Sequence, residues 1–226
     1  MTETPNPNID PDTLTGEMRP IRPAVLSIGS NVGDRAANLQ GAVEALADTP
    51  DVRLVTVSSV YETKPVDAPD GSPDFLNAVL LVDTTLSVAM LLDRAKAVES
   101  AFGRERGEAN APRTLDVDLI VVGDRLSDTE ELTLPHPRAH DRAFVLVPWH
   151  EIDQRAQIPG RGKIADLLEG LDTSVVVRRD DLALEMSDRT WQSRPTRPRP
   201  PSGRRACGSS RSPSPSARSS GTRSCP

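Results

Sequence analysis

Asp116 and Asp118 stand two apart in the run Arg113-Thr114-Leu115-Asp116-Val117-Asp118. In a strand, alternate residues project from one face, so both carboxylates point the same way and Val117 points the other. Like charges that close repel each other unless a cation lies between them. The pair therefore reads as a holder of one or two divalent ions. The apolar stretch Leu119-Ile120-Val121-Val122 follows directly, which marks an interior strand rather than a solvated acidic edge. Arg104, Arg106 and Arg113 fall within ten residues beside the pair. Guanidinium forks next to a carboxylate metal site suit a polyphosphate, because the metal bridges phosphate oxygens and the forks neutralise the remaining charge. Surface ion pairs with Glu105 and Glu108 are the plainer use of the same arginines.

Three weaker signals accompany these. Pro135-His136 and Arg142 bracket a polar turn, where a histidine is more often packed than ligand-binding. Phe75 and Asn77 share a strand face, and the body up to residue 187 has only five aromatic residues. A ring platform beside an amide that can read a ring edge suits a planar heterocycle, although a core Phe and a strand-end Asn explain them equally well. Gly29-Ser30-Asn31-Val32-Gly33 lacks the Lys-Ser/Thr of a Walker loop and counts only as a loop.

Secondary elements must bring these residues together. Residues 24–28 form a short apolar strand, and Asp34 suits the N-cap of a helix over 35–47. Residues 52–61 and 75–84 are rich in strand formers. Ser87 can cap a second helix with Leu91, Ala95, Val98 and Phe102 on its buried stripe, and 115–122 is a fourth strand. The order βαββαβ predicts an α+β domain with a ferredoxin-like antiparallel sheet and helices on one face. Right-handed crossovers then place the 29–33 loop, the 62–74 connection, the 103–114 connection and the start of the last strand at one end. The connections of thirteen and twelve residues are long enough to suggest function. The segment after Val122 holds a Pro135-His136-Pro137 turn, an apolar run 144–149 and a short helix over 164–171.

Composition sets the limits. Residues 188–226 carry ten Ser, seven Pro and nine Arg against one Asp, a net of +8. Residues 1–187 then carry 18 basic and 32 acidic residues, a net of −14 within the chain's total of −6. So acidic a body repels phosphate backbones, so no specific nucleic acid is expected as partner. Both cysteines, Cys207 and Cys225, lie near the C-terminus, which excludes a thiolate zinc site in the body. With three His in all, carboxylates would hold any metal, which favours Mg²⁺. No apolar run reaches bilayer length. The expectation is a cytoplasmic monomer with no membrane partner. Its catalytic domain would span 23–187, between disordered segments 1–22 and 188–226 whose compositions cannot bury enough apolar surface to fold.

Six stretches carry a resemblance: Ile28-Gly29-Ser30-Asn31, Ser58-Ser59-Val60-Tyr61-Glu62-Thr63, Phe75-Leu76-Asn77-Ala78, Gly103-Arg104-Glu105-Arg106, Pro112 to Asp118, and Pro135-His136 with Arg142-Ala143-Phe144. In this order, over about 24–160, they resemble the 6-hydroxymethyl-7,8-dihydropterin pyrophosphokinase family of folate biosynthesis. The resemblance implies ATP as co-substrate and two Mg²⁺ on Asp116 and Asp118. It implies Arg104 and Arg113 in catalysis, with Glu99, Arg106, Arg113, Thr133, His136 and Arg142 around ATP. Thr63, Phe75, Asn77 and Phe144 would line the pterin pocket, the ring lying between the two phenyl groups. The pterin hydroxymethyl oxygen would attack the β-phosphorus, and AMP would leave. Asn110, Pro137, Glu131 and Lys64 depart from residues found in some members, and none touches the carboxylate pair. A catalytically silent ATP- and pterin-binding protein is the alternative.

Overall fold

The chain alternates strands with apolar residues on both faces and helices with one apolar stripe. The computed structural model describes residues 20–65, 71–103 and 113–186. Strand β1 (Arg22–Ser30) leads to α1 (Arg35–Ala47), where the Asp34 carboxylate accepts from the Ala37 N–H at 3.0 Å. Strands β2 (Val52–Val57), β3 (Tyr61–Thr63) and β4 (Phe75–Thr84) follow. Helix α2 (Val88–Ala101) is capped by Ser87, as its sequence predicts. Strand β5 (Asp116–Val122) comes next, then the small hairpin β6 (Ser127–Asp128) and β7 (Thr133–Leu134). Helix α3 (Ala143–Ile152), hairpin β8 (Gln157–Ile158) and β9 (Gly162–Lys163), α4 (Ile164–Leu168) and β10 (Val176–Arg178) complete the order.

The main sheet runs β10-β3-β4-β1-β5, with β2 also paired to β4, and every pairing is antiparallel. The expected strand over 52–61 is two strands, because Ser58 interrupts the ladder. Its hydroxyl accepts from the Val79 N–H at 2.9 Å, and its own N–H donates to the Val79 carbonyl at 2.9 Å.

The two helices of the βαββαβ order share one face of the sheet, as expected, and the C-terminal extension adds helices on the other face. One face carries Leu26, Ile28, Leu76, Leu80, Val117 and Leu119, and it buries Leu39, Val43 and Leu46 of α1 with Leu91 and Ala95 of α2. Gly41 makes room between those helices, since a Cβ there would stand 2.5 Å from the Phe102 ring. The other face carries Val25, Val79, Ile120 and Val121, and it buries Val145, Leu146 and Trp149 of α3 with Ile164 of α4. Strands apolar on both sides need cover on both sides, and the 144–149 run is the second cover. Among the described residues no helix is long and apolar enough to cross a membrane.

Candidate functional site

The sheet register places the site before any side chain is considered. Asp116 faces Gly29 across β5 and β1, and Gly29 faces Asn77 across β1 and β4. Asp118, Ser27 and Val79 form the next row. With about 4.8 Å between strands, the carboxylates and the amide lie about 10 Å apart across the sheet. All point to the α3 side, where Phe144, His136 and Arg142 enter from the segment after β5.

Asn31 ties the loops of this rim together. Its N–H donates to the Arg113 carbonyl at 3.1 Å, and its Oδ1 accepts from the Arg113 N–H at 2.7 Å. Its Nδ2 donates to the Pro73 carbonyl at 3.3 Å. Asn38 Nδ2 adds the Thr114 carbonyl at 3.0 Å, the Val32 carbonyl at 3.0 Å and Ser30 Oγ at 3.1 Å. The described ends of the three connections expected at one end meet there. Residue type does not announce this role, because the work of both asparagines is backbone bonding over long sequence distance. Asn31 stands in the Ile28-Gly29-Ser30-Asn31 stretch that carries part of the resemblance.

The carboxylates do not face each other uncompensated. Arg113 Nη1 lies 2.9 Å from Asp116 Oδ2, and Arg142 Nη1 lies 3.4 Å from Asp118 Oδ2. Each guanidinium offsets one charge, so the pair is compatible with a folded protein before any cation arrives. Glu99, expected beside a nucleotide, is buried on α2, and its Oε1 accepts from the Val117 N–H at 2.8 Å. It fixes β5 between the two aspartates.

His136 has its pKa pushed down to about 4 by burial, with Arg142 and Arg138 adding to the effect. Its Nδ1 accepts from the Arg138 N–H at 3.2 Å, so the neutral ring carries its proton on Nε2 as a donor. Burial lowers the Arg142 pKa, and Asp118 opposes that shift. The Arg142 guanidinium lies 5.4 Å from the Phe144 ring centroid. Thr133 and His136 border a cavity of about 580 Å³ that also reaches Leu126, Asp128, Pro137 and Arg161.

On the other side of Gly29, Asn77 is buried, and its Nδ2 donates to Thr63 Oγ1 at 2.9 Å. Phe75 faces Thr63 across β3 and β4. A Cβ on Gly29 would stand 3.0 Å from Asn77 Oδ1 and 3.6 Å from Phe75 Cδ1. The missing side chain is therefore what lets the amide and the ring lie over the strand.

The structure thus brings together Asp116, Asp118, Arg113, His136 and Arg142, with Thr63, Phe75 and Asn77 on the same sheet face. Arg104 and Arg106 lie outside the described residues. Among the described residues no three His, Cys, Asp or Glu side chains cluster as metal ligands. Two carboxylates without a third protein ligand fit Mg²⁺, which takes one or two carboxylates and completes its shell with water and substrate phosphates.

The carboxylates, guanidiniums and imidazole on one side of Gly29, with the amide and the ring on the other, are compatible with a phosphate-transferring enzyme. A Plasmodium falciparum HPPK-DHPS crystal structure shares the fold with a TM-score of 0.54 at 14% identity, over 69% of this chain and 45% of that longer one. The profile of the 7,8-dihydro-6-hydroxymethylpterin-pyrophosphokinase (HPPK) family matches residues 25–154. The 2-amino-4-hydroxy-6-hydroxymethyldihydropteridine pyrophosphokinase of Methylorubrum extorquens is 43% identical over 156 residues, 69% of this chain and 97% of that protein. The protein of the same name from Haemophilus influenzae is 36% identical over 146 residues, 65% of this chain and 91% of that one. The chain belongs to the HPPK family.

Proposed function

We propose that this enzyme transfers pyrophosphate from ATP to 6-hydroxymethyl-7,8-dihydropterin, giving AMP and the pterin diphosphate on the route to folate. The juxtaposition of Asp116 and Asn77 on either side of Gly29 is the observation that carries this reading. It sets a phosphate-handling half beside a ring-reading half on one sheet face. In the ring-reading half, the Asn77 amide and the Thr63 hydroxyl offer donors and acceptors to the pterin edge. Phe75 and Phe144 offer faces for the ring.

In the phosphate half, Arg113 and Arg142 turn from their aspartates to phosphate oxygens, joined by Arg104 and Arg106. His136 donates from Nε2 without adding charge. Thr133 and the adjoining cavity offer room for the nucleoside, and Glu99 keeps β5 in place beneath it. Asp116 and Asp118 would hold two Mg²⁺, which when bound neutralise charge on the transferring group. The hydroxymethyl oxygen bonds to the β-phosphorus, the bond from that phosphorus to the α–β bridging oxygen breaks, AMP leaves with that oxygen, and the hydroxyl proton passes to solvent. Such a site needs little chemistry from the protein beyond positioning and charge stabilisation.

The catalytic domain of this reading is 23–187, working as a cytoplasmic monomer, with 1–22 and 188–226 outside it. Those two segments fall almost wholly outside the described residues. The curated relatives carry the name of an enzyme, which favours turnover over a silent binder. Calorimetry with a non-hydrolysable ATP analogue and Mg²⁺, followed by the pterin, tests the two halves together. The reading expects pterin to bind the nucleotide-loaded protein with 1:1 stoichiometry. Absence of pterin binding in the presence of the analogue would sink it.

A further inference from the structure

A chain of charges joins the C-terminal strand to both ends of the 62–74 connection, on the α1 side of the sheet. Arg179 Nη1 meets Glu62 Oε2 at 2.8 Å, while its Nη2 and Nε meet the two oxygens of Asp181 at 2.7 and 2.8 Å. Glu62 Oε1 takes Arg35 Nη1 at 2.8 Å, and the same Arg35 nitrogen donates to the Asp74 carbonyl at 2.8 Å. The backbone runs alongside, with the Arg179 N–H on the Val60 carbonyl at 2.9 Å and β10 paired to β3 from Val176 to Arg178. Burial raises the Glu62 pKa, yet the two guanidiniums outweigh it and hold the carboxyl below its ordinary value.

Glu62 and Asp74 immediately precede Thr63 and Phe75, the cross-strand pair that opens the ring slot. Thr63 in turn accepts from Asn77. One network therefore fixes where both strands enter the slot, and its outer anchor lies beyond residues 25–154, the span the family profile matches.

We propose that Arg179 is a positioning residue for ring binding. By holding Glu62, and through it Arg35 and the Asp74 carbonyl, it sets the spacing of Thr63 and Phe75 across the mouth of the hairpin. This rests on the assignment of that slot to the pterin. The Arg179 and Glu62 side chains keep 29% and 26% of their exposure, so the pair adds little to global stability and its effect is local.

Arg179→Met keeps the aliphatic stem and removes the fork, and Arg179→Lys keeps the charge with one contact. Amide hydrogen exchange in the free, full-length protein reads the hairpin mouth at 61–63 and 75–77. Calorimetry reads pterin and the ATP analogue separately. For Arg179→Met the expected result is exchange about ten-fold faster at the mouth and pterin affinity about five-fold weaker. ATP-analogue affinity should stay within about two-fold, and Arg179→Lys should recover most of the pterin affinity. Unchanged exchange and pterin affinity in Arg179→Met would overturn the proposal. So would an equal loss for both ligands, which marks general destabilisation. If the unsubstituted protein binds no pterin, the slot assignment fails, and the exchange measurement still decides whether Arg179 fixes the hairpin.

Discussion

Gly29→Ala is the sharpest perturbation the site offers, because one methyl group separates its effects on folding and on binding. The added Cβ would stand 3.0 Å from Asn77 Oδ1, tighter than ordinary contact, and 3.6 Å from Phe75 Cδ1. Asn77 cannot withdraw freely, since its Nδ2 is held by Thr63 Oγ1 at 2.9 Å in a buried position. Moving the amide by a few tenths of an ångström strains or breaks that bond, at a cost of about 1 kcal/mol. Against this, replacing glycine by alanine inside a strand gains roughly 0.5–1 kcal/mol of backbone entropy. The two nearly cancel, so the melting temperature should move by no more than about 3 °C. Binding has no such compensation. The methyl group occupies the floor of the slot and the amide is turned from the ring edge. A loss of about 1.4 kcal/mol or more is expected, which weakens pterin affinity at least about ten-fold. ATP-analogue affinity should hold within about two-fold, because the nucleotide half lies on the far side of β1. Differential scanning calorimetry and titration with each ligand give both quantities. A Gly29→Ala protein that binds pterin as tightly as the parent would refute the account of the slot.

Asp118→Asn should lower turnover by about two to three orders of magnitude, since a charge that holds the cation and the transferring group is lost. Its stability should change by under about 1 kcal/mol, because the Arg142 contact is long, at 3.4 Å; a variant with full turnover would contradict the metal assignment. His136 has a folded pKa near 4, below its unfolded value of 6.5. The unfolded chain binds the extra proton first, so stability is retained above pH 6.5 and falls as pH drops toward 4. The loss should be roughly 1–2 kcal/mol after allowance for partial exposure. Urea unfolding at pH 7 and pH 4.5 should show a smaller drop for His136→Gln, and an identical drop would remove the buried neutral ring. Deleting 188–226 should leave turnover and melting temperature nearly unchanged and reduce retention on heparin at low salt. Loss of most activity in a folded truncate would place an arginine of that segment at the phosphates.

The elements set by local signals were legible. Asp34 and Ser87 cap helices whose apolar stripes match the buried residues, and the strand over 75–84 ends where its β-branched and apolar residues end. Alternation also placed Asp116 and Asp118 on one face, because a period of two is a covalent property of the extended chain. What could not be read was set by distant partners. The break at Ser58 depends on the Val79 amide, and the second helical layer depends on the 144–149 run finding Val25 and Val121. The pairing of the aspartates with Arg113 and Arg142 needs the turn that returns Arg142 to β5. Asn31 and Gly29 lie in a motif that reads locally as a turn, yet one bonds three loops and the other clears space for Asn77. Neither role exists until β4 lies beside β1.

The measurement that tests the central claim most directly is product analysis after incubation of the purified protein with ATP, Mg²⁺ and 6-hydroxymethyl-7,8-dihydropterin. Attack at the β-phosphorus predicts AMP and the pterin diphosphate in equal amounts, with no ADP and no product when either Mg²⁺ or pterin is omitted. ADP with a pterin monophosphate, or no pterin product at all, would contradict it.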